Sequence, residues 1–111
     1  MERRVDINIR NAINDTVLHL AATLGSAEII KILLDKIMSV DLRNGDDSMP
    51  LHLSAACGNL EATKAFVERG AAVDKSDKNC DTPLLLAARW GKLEIFRYLT
   101  VGGADSNVRD V

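Results

Sequence analysis

The chain has 111 residues, of which 47% are hydrophobic and 27% charged, a composition that suits one folded, soluble domain. Its formal net charge of -2 lacks the basic excess by which proteins bind nucleic acids or acidic membrane surfaces, so neither partner is expected. No apolar run reaches the roughly 18 residues that a membrane-spanning helix needs, which predicts no membrane insertion.

The first predicted elements are two helices between Val17 and Lys36. Thr16 is placed to cap a short helix through its hydroxyl, and Gly25 is placed to end it in a left-handed conformation. A second helix follows at once, because apolar residues recur there at the spacing of one helical face: Ile29, Ile30, Leu33 and Leu34.

The same pattern recurs twice further along the chain, each time after 33 residues and without a gap. The identical columns are Leu18/Leu51/Leu84, Leu20/Leu53/Leu86, Ala22/Ala55/Ala88, Gly25/Gly58/Gly91 and Glu28/Glu61/Glu94. One helix pair is too small to bury its own apolar stripe, so the copies are expected to stack around a continuous core. The small residues Ala22, Ala55 and Ala88 are expected where neighbouring helices approach closely.

The copies differ in how their first helices begin. Pro50 and Pro83 fit the first helical position, where the missing N–H costs nothing. Thr82 repeats the capping hydroxyl of Thr16, whereas Met49 cannot cap, so the second copy is predicted to start more weakly. Its second helix also has a thinner apolar face, formed by Ala62, Thr63, Phe66 and Val67.

The TPLH-like helix start, the 33-residue period and the Gly-Ala-Asp connection resemble ankyrin repeats. Pro50–Ala55, Thr82–Ala87, Gly70-Ala71 and Gly103-Ala104-Asp105 carry the resemblance, which covers about Val5 to Val111. It implies one all-α domain over residues 1–111, a solenoid of stacked helix–turn–helix units with hairpin loops. The expected repeats are about 11–43, 44–76 and 77–109, and residues 1–10 look like the tail of a preceding hairpin. We read the chain as cut from a longer array or as a short array with modestly adapted ends.

The chain departs from the family pattern at several positions. Ile37 stands where the other copies have glycine, and a left-handed conformation there would cost roughly 1–2 kcal/mol. Asn14, Asp47 and Cys80 fill the hairpin-turn column in which the family has glycine; Asn and Asp tolerate a positive φ, but Cys does not. Thr100 replaces an apolar residue, so the last repeat either packs poorly there or turns this side chain to water.

Partners of ankyrin repeats usually lie on the concave side, where hairpin tips form fingers and the first helices form a palm. The resemblance therefore implies a partner surface made of the finger residues Arg43, Asp46, Ser48, Ser76, Lys78, Asn79 and Asp81 and the palm residues Leu24, Cys57, Arg89 and Trp90. The three copies disagree most in these columns, which indicates that packing does not dictate them. The fingers carry both signs of charge, so no partner charge is implied.

Trp90 is the first candidate contact within this surface. Its equivalents are Leu24 and Cys57, so the stack does not demand an aromatic residue there. Interface hot spots are rich in Trp and Arg, and Arg89 is its neighbour. The three equivalent residues would form an apolar strip along the palm that suits a helix or an extended peptide. The alternative is that Trp90 only covers the exposed end of the stack.

Catalytic and metal chemistry are not expected from this sequence. His19 and His52 share a column in which the family's histidine hydrogen-bonds within the loop framework, and Leu85 fills this column in the third copy. Cys57 and Cys80 have no partner at metal-ligand spacing, so neither a metal nor a cofactor is predicted. Two thiols, with no secretory apolar stretch, indicate the cytosol or the nucleus.

The leading hypothesis is a non-catalytic module that binds a protein or peptide partner. Two alternatives stay open: an engineered or reconstructed repeat scaffold without a natural partner, and a regulatory ankyrin fragment of a larger enzyme or channel. The irregular residues Ile37, Met49, Cys80 and Thr100 argue for a natural origin. The chain is expected to be a monomer, with self-association through an open apolar end as the alternative.

Overall fold

A computed structural model describes residues 10–24, 26–36 and 39–102. The helices in these residues are α1 (Val17–Leu24), α2 (Ala27–Lys36), α3 (Pro50–Cys57), α4 (Leu60–Glu68), α5 (Pro83–Arg89) and α6 (Leu93–Arg97), and a π-helical turn (Tyr98–Gly102) continues α6. No strand occurs in these ranges, which confirms the all-helical prediction for them. The predicted features at Gly25, at Ile37 and at the Gly103-Ala104-Asp105 connection lie outside the described residues.

The helices form three pairs that stack in chain order. Helices α1/α2, α3/α4 and α5/α6 are the first, second and third pairs; α3 packs against both α1 and α5, and α4 packs against both α2 and α6. Each pair therefore buries its apolar stripe against its neighbours as well as within itself. This is the solenoid that the 33-residue period predicts.

Each first helix begins with a different arrangement of side chains. In the first pair, Thr16 accepts the His19 N–H at 3.4 Å, while the Thr16 N–H donates to His19 Nδ1 at 3.1 Å. Met49 makes no side-chain cap, as predicted, yet its N–H still donates to His52 Nδ1 at 3.0 Å. Thr82 accepts the N–H of Leu85 at 3.2 Å. The histidine thus accepts the same backbone N–H in the first and second pairs, whether or not the residue before the helix has a hydroxyl.

Glycines close the first helices of the second and third pairs. Gly58 and Gly91 have positive φ values of 80° and 68°, the left-handed conformation that the sequence predicts at these positions. The sharp reversal lets α4 and α6 begin two residues after these glycines and lie back against α3 and α5.

The core is made mostly of aliphatic side chains. Leu18, Leu51, Ala22 and Ala55 are fully buried, which confirms close approach at the first two positions of the alanine column. Ala88, the third member, is exposed on the last helix pair. Phe66 is the largest fully buried side chain and lies between the first and second pairs. Truncating a buried leucine such as Leu51 to alanine would cost about 2–5 kcal/mol.

A polar pair lies inside the second helix pair, where the predicted apolar face is thin. The hydroxyl groups of Ser54 on α3 and Thr63 on α4 are 2.9 Å apart, and both residues are fully buried. Ser54 Oγ also lies 3.1 Å from the Leu51 carbonyl, and Thr63 Oγ1 lies 3.0 Å from the Asn59 carbonyl. Since each hydroxyl has one hydrogen, one of them donates to the other hydroxyl, which in turn donates to its own carbonyl. Because each hydroxyl has partners, the pair avoids the cost of an unsatisfied buried polar group.

Thr100 lies in the π-helical turn after α6. Its hydroxyl faces the carbonyls of Phe96 and Arg97 at 2.9 and 3.1 Å, and its side chain is half-buried. A threonine that bonds back to the preceding turn competes with regular helical hydrogen bonding and often bends a helix. This observation fits a local change from α to π geometry, which the sequence analysis did not predict.

Candidate functional site

The hairpin loops before each first helix are held by one side-chain oxygen apiece. The oxygens of Asn11, Asn44 and Asp77 each accept two backbone N–H groups, from the residues two and four positions further on, at 2.9–3.1 Å. These three residues are spaced by 33, so the same loop is built three times. Side chains of this length favour such turns because they reach their own backbone without strain.

The tightest position of each loop has left-handed backbone geometry. Asn14, Asp47 and Cys80 have φ values of 69°, 59° and 66°. The positive φ values occur in the column that was predicted to form the hairpin turn. Cys80 also adopts this conformation, although a cysteine was expected to tolerate a positive φ badly. The loop hydrogen bonds, such as the one from Cys80 N–H to the Asp77 carbonyl at 3.0 Å, hold the residue in this conformation.

Successive loops are joined edge to edge into a row of fingers. The Gly45 N–H donates to the Ile13 carbonyl at 3.1 Å, and the Lys78 N–H donates to the Asp46 carbonyl at 3.2 Å. The Lys78 ammonium also lies 3.5 Å from the Asp46 carboxylate. The predicted finger residues Asp46 and Lys78 are therefore brought together across two loops, with their charges opposed.

Arginines extend the same row of contacts. Arg10 donates to the carbonyls of Asn14 and Arg43, both at 2.9 Å. Arg43 repeats the pattern one unit later, donating to the carbonyls of Asp47 at 2.7 Å and Ser76 at 3.0 Å. Arg43 was predicted as a partner contact, and the structure shows that its guanidinium already binds the loop backbone.

The two histidines link each first helix to the next loop. His19 Nε2 lies 2.7 Å from the Ser48 carbonyl, and His52 Nε2 lies 2.9 Å from the Lys75 carbonyl and 3.1 Å from that of Asp81. Since Nδ1 accepts a backbone N–H in both, we assign Nε2 as the donor of a neutral ring. Burial lowers the pKa of His19 and of His52, and it outweighs the opposing effect of the hydrogen bonds that Nε2 makes. These contacts agree with the structural role that the resemblance implied.

Arg89 and Asp81 form a two-pronged ion pair beside the palm. The Arg89 guanidinium donates to Asp81 Oδ2 at 2.7 Å and to Oδ1 at 3.1 Å, and the Asp81 side chain is only 8% exposed. Both residues were predicted as partner contacts. In the structure the pair joins the third loop to the end of α5, with about half of the Arg89 side chain left open to solvent.

The palm positions are open along the whole stack. Leu24 is 85% exposed, Trp90 is 58% exposed, and Cys57 between them in the 33-residue register is also exposed. Leu24 and Cys57 end the first helices of their pairs, and Trp90 directly follows the first helix of the third pair. The fold therefore exposes one of these side chains at the equivalent position of each pair. The predicted apolar strip therefore consists of accessible side chains.

The remaining finger residues divide into open and buried ones. Ser76 and Asn79 are exposed, whereas Ser48 is buried and donates its N–H to Asn44 Oδ1. Ile13, which was not among the predicted contacts, is 63% exposed at the first loop. It shares a column with Asp46 and Asn79, so the register that identified them would also have identified it.

The described residues contain no group of three or more His, Cys, Asp or Glu side chains that could hold a metal ion. Cys57 and Cys80 are free thiols. Over the same part of the chain, no helix has both the length and the apolar character needed to cross a membrane.

Comparison with known families agrees with this architecture. The family model described as ankyrin repeats (3 copies) matches residues 1–76 and 18–110. No curated protein matches the chain.

Proposed function

The chain belongs to the ankyrin-repeat family, whose repeats are in general protein–protein interaction modules, and we propose that it is a non-catalytic module that binds a protein partner through its palm and fingers. The proposed surface is centred on the strip of Leu24, Cys57 and Trp90. The edge of this surface is lined by the finger residues Asp46, Ser76, Lys78 and Asn79. We add Ile13 to this edge because it is exposed in the same column as Asp46 and Asn79.

The exposure of the strip is the observation that carries the proposal. Leu24 and Trp90 are large apolar side chains that the stack leaves 85% and 58% exposed. Burying them under a partner would remove apolar area from water at about 25 cal/mol per Å². With the exposed Cys57 between them, the strip has one accessible residue per helix pair, a spacing that suits an elongated helix or peptide lying across the pairs.

We propose different roles for the other predicted contacts, and their burial and hydrogen bonds support this division. Ser48 and Asp81 are buried, so they offer a partner little surface. Arg43 and Arg89 keep part of their side chains open while binding the Ser76 carbonyl and the Asp81 carboxylate. We therefore treat both arginines as residues that position the fingers and present a fixed edge to the partner. The exposed Asp46–Lys78 pair adds little affinity by itself.

The proposed compartment is the cytosol or the nucleus. Its support is the pair of exposed free thiols, Cys57 and Cys80, since reducing compartments keep such groups unpaired. Fluorescence of the tagged chain in intact cells, with thiol labelling before and after reduction, tests this proposal. Recovery of the chain in the secretory pathway with oxidised thiols would contradict it.

The test of the proposed surface is affinity capture from cell lysate with Trp90→Ala and Leu24→Ser beside the unaltered chain. The matched control is Leu93→Ala on α6, because Leu93 is also an exposed large apolar residue, at 61%, but lies outside the strip. Arg89→Ala is unsuitable here, because it would also release Asp81. Proteins retained by the unaltered chain and the control but lost from the strip variants, at equal helicity, support the proposal. Equal retention by all four chains would show that the partner binds a surface other than the strip.

A further inference from the structure

Asn44 and Gly45 lie where the second hairpin loop (residues 44–48) meets the first (residues 11–15). Asn44 Oδ1 accepts two backbone N–H groups of its own loop, at 2.9 and 3.0 Å, while Nδ2 donates to Asp15 Oδ1 at 2.7 Å. The Gly45 N–H donates to the Ile13 carbonyl at 3.1 Å. Hydrogen bonds therefore hold both the side-chain amide of this Asn-Gly pair and the backbone amide that joins its two residues, and two of these bonds are made with the first loop.

The first loop explains why asparagine, and not aspartate, suits position 44. Asp15 is only 8% exposed, and its carboxylate accepts a hydrogen bond that a second carboxylate could not donate. At the next step the corresponding residues are Asp77 and Ser48, so the aspartate there meets a hydroxyl-bearing residue in this column. Two carboxylates in contact at a partly buried site repel each other. Asp15 therefore requires a neutral donor at position 44.

Glycine suits position 45 because the two loops approach each other closely. A Cβ atom there would lie 2.8 Å from the Ile13 carbonyl oxygen, so a larger residue would displace the first loop. Lys78 fills this column at the next step, where its N–H donates to the Asp46 carbonyl at 3.2 Å, so the requirement applies to the first step alone. The contact between the first two loops thus places a glycine directly after an asparagine.

An Asn-Gly pair can deamidate without an enzyme, because the glycine has no side chain to block the attack. The Gly45 backbone nitrogen loses its proton to solvent and bonds to Asn44 Cγ, which closes a five-membered succinimide. The side-chain nitrogen takes up a proton from solvent and leaves as ammonia. Water then opens the ring at either carbonyl and leaves aspartate or isoaspartate at position 44, with no change of oxidation state.

The docked first loop opposes each part of this reaction. The attacking nitrogen must first give up its hydrogen bond to the Ile13 carbonyl, and the Asn44 side chain must leave Asp15 and the two N–H groups of its own loop. Local opening of such surface loops is the least costly motion of a folded chain. The reaction therefore proceeds through states in which the first loop has moved away.

We propose that Asn44 is a site of spontaneous deamidation that the first loop controls: docking of this loop blocks the reaction, and the product prevents it from docking again. Aspartate at position 44 sets a second carboxylate against Asp15, and isoaspartate lengthens the main chain by one carbon within the loop. Because refolding does not reverse the reaction, the opening becomes permanent. The first unit carries Leu24, so the same event shortens the proposed palm strip; this last consequence alone rests on the proposed function.

The control by the first loop is tested by mass spectrometry with peptide mapping during incubation at pH 8. In guanidinium chloride, Asn44 should deamidate faster than the other asparagines, and in the folded chain it should react at least about tenfold more slowly. Arg10→Ala removes the hydrogen bonds to the Asn14 and Arg43 carbonyls, so it should speed the reaction in the folded chain. The matched control, Arg97→Ala on α6, should not. Equal rates in the folded and unfolded chains, or no response to Arg10→Ala, would overturn the proposal.

The effect of the product is tested with Asn44→Asp. We expect this variant to lower the unfolding temperature by at least about 3 °C, and by less than half as much when Asp15→Ser is also present, because the pair then matches Asp77 and Ser48. The control is Asp77→Asn at the next step, which should shift the unfolding temperature by less than about 1 °C. An unfolding temperature that Asn44→Asp leaves unchanged, or lowers equally in both backgrounds, would show that the product does not act against Asp15 and would overturn the proposal.

Discussion

Arg89 at the end of α5 holds the buried carboxylate of Asp81 through two parallel hydrogen bonds of 2.7 and 3.1 Å. The contact joins the third loop to the palm, and the equivalent positions of the other pairs, Thr23/Asp15 and Ala56/Ser48, cannot form it. The contact lies within the third unit, whereas the histidines of the first two pairs reach the loop of the next unit.

Removing Arg89 should therefore destabilise the third pair. We expect Arg89→Ala to lower the free energy of unfolding by about 1–3 kcal/mol, because a buried carboxylate loses its partner. Arg89→Lys should recover only part of the loss, since an ammonium cannot reproduce the two-pronged geometry. Urea unfolding followed by circular dichroism measures both, with Arg97→Ala on the exposed side of α6 as the control. A loss no larger than that of the control would show that the pair does not stabilise the fold.

The repeat register explains why so much of the fold could be predicted and why this contact could not. The period of 33 placed the helix starts at Pro50 and Pro83 and the left-handed turns at Gly58 and Gly91, because local chemistry determines these features. The Arg89–Asp81 pair depends on how a loop folds over a helix end eight residues away, and it occurs in one copy only. Comparison of the copies therefore presented both residues as free surface positions.

The candidate site was predictable to a different degree at each position. Leu24 and Trp90 are exposed, as the variability of their column indicated. Ser48 lies in an equally variable column but is buried, because its backbone serves both His19 and Asn44. Variation between copies thus identifies positions that packing does not dictate, but it does not distinguish an open side chain from one enclosed by backbone hydrogen bonds.

Replacing Cys80 by glycine should stabilise the protein. Cys80 has a φ of 66°, where a side chain costs roughly 1 kcal/mol and glycine is unstrained. We expect Cys80→Gly to raise the urea midpoint and Cys57→Gly to lower it by a similar amount, because Cys57 ends the regular helix α3. Thermal and urea unfolding under reducing conditions measure the two effects. An unchanged or lower midpoint for Cys80→Gly would mean that the thiol contributes more than its backbone strain costs.

The hydroxyl pair of Ser54 and Thr63 should show energetic coupling. Ser54→Ala and Thr63→Val each remove one partner of a contact of 2.9 Å between fully buried residues. We expect the double variant to be less destabilised than the sum of the single variants, with a coupling energy of about 0.5–1.5 kcal/mol. A double-mutant cycle from urea unfolding gives this value. Strict additivity would show that the bonds to the Leu51 and Asn59 carbonyls satisfy the two hydroxyls independently.

Acid should destabilise the stack through His19 and His52. Burial lowers the pKa of each below its ordinary value of 6.5, although Asp15 near His19 and Asp77 near His52 act in the opposite direction. In the unfolded chain both imidazoles take up a proton near pH 6.5, whereas in the folded chain they do so only at lower pH. Below pH 6.5 the unfolded state therefore binds more protons than the folded state. The stability that depends on the neutral histidines is fully present above pH 6.5, and the free energy of unfolding decreases as the pH falls below this value.

The variant His52→Leu, which introduces the residue that the third pair carries at this column, separates this effect from general acid sensitivity. At pH 8 it should be less stable than the parent, because the carbonyls of Lys75 and Asp81 lose their donor. Between pH 8 and pH 5.5, however, its urea midpoint should fall less steeply than that of the parent, since one titrating group has gone. Surface carboxylates are common to both chains and cancel in the comparison. Parallel midpoint curves would show that protonation of His52 is not linked to unfolding, and would contradict the neutral ring assigned from its two hydrogen-bonded nitrogens.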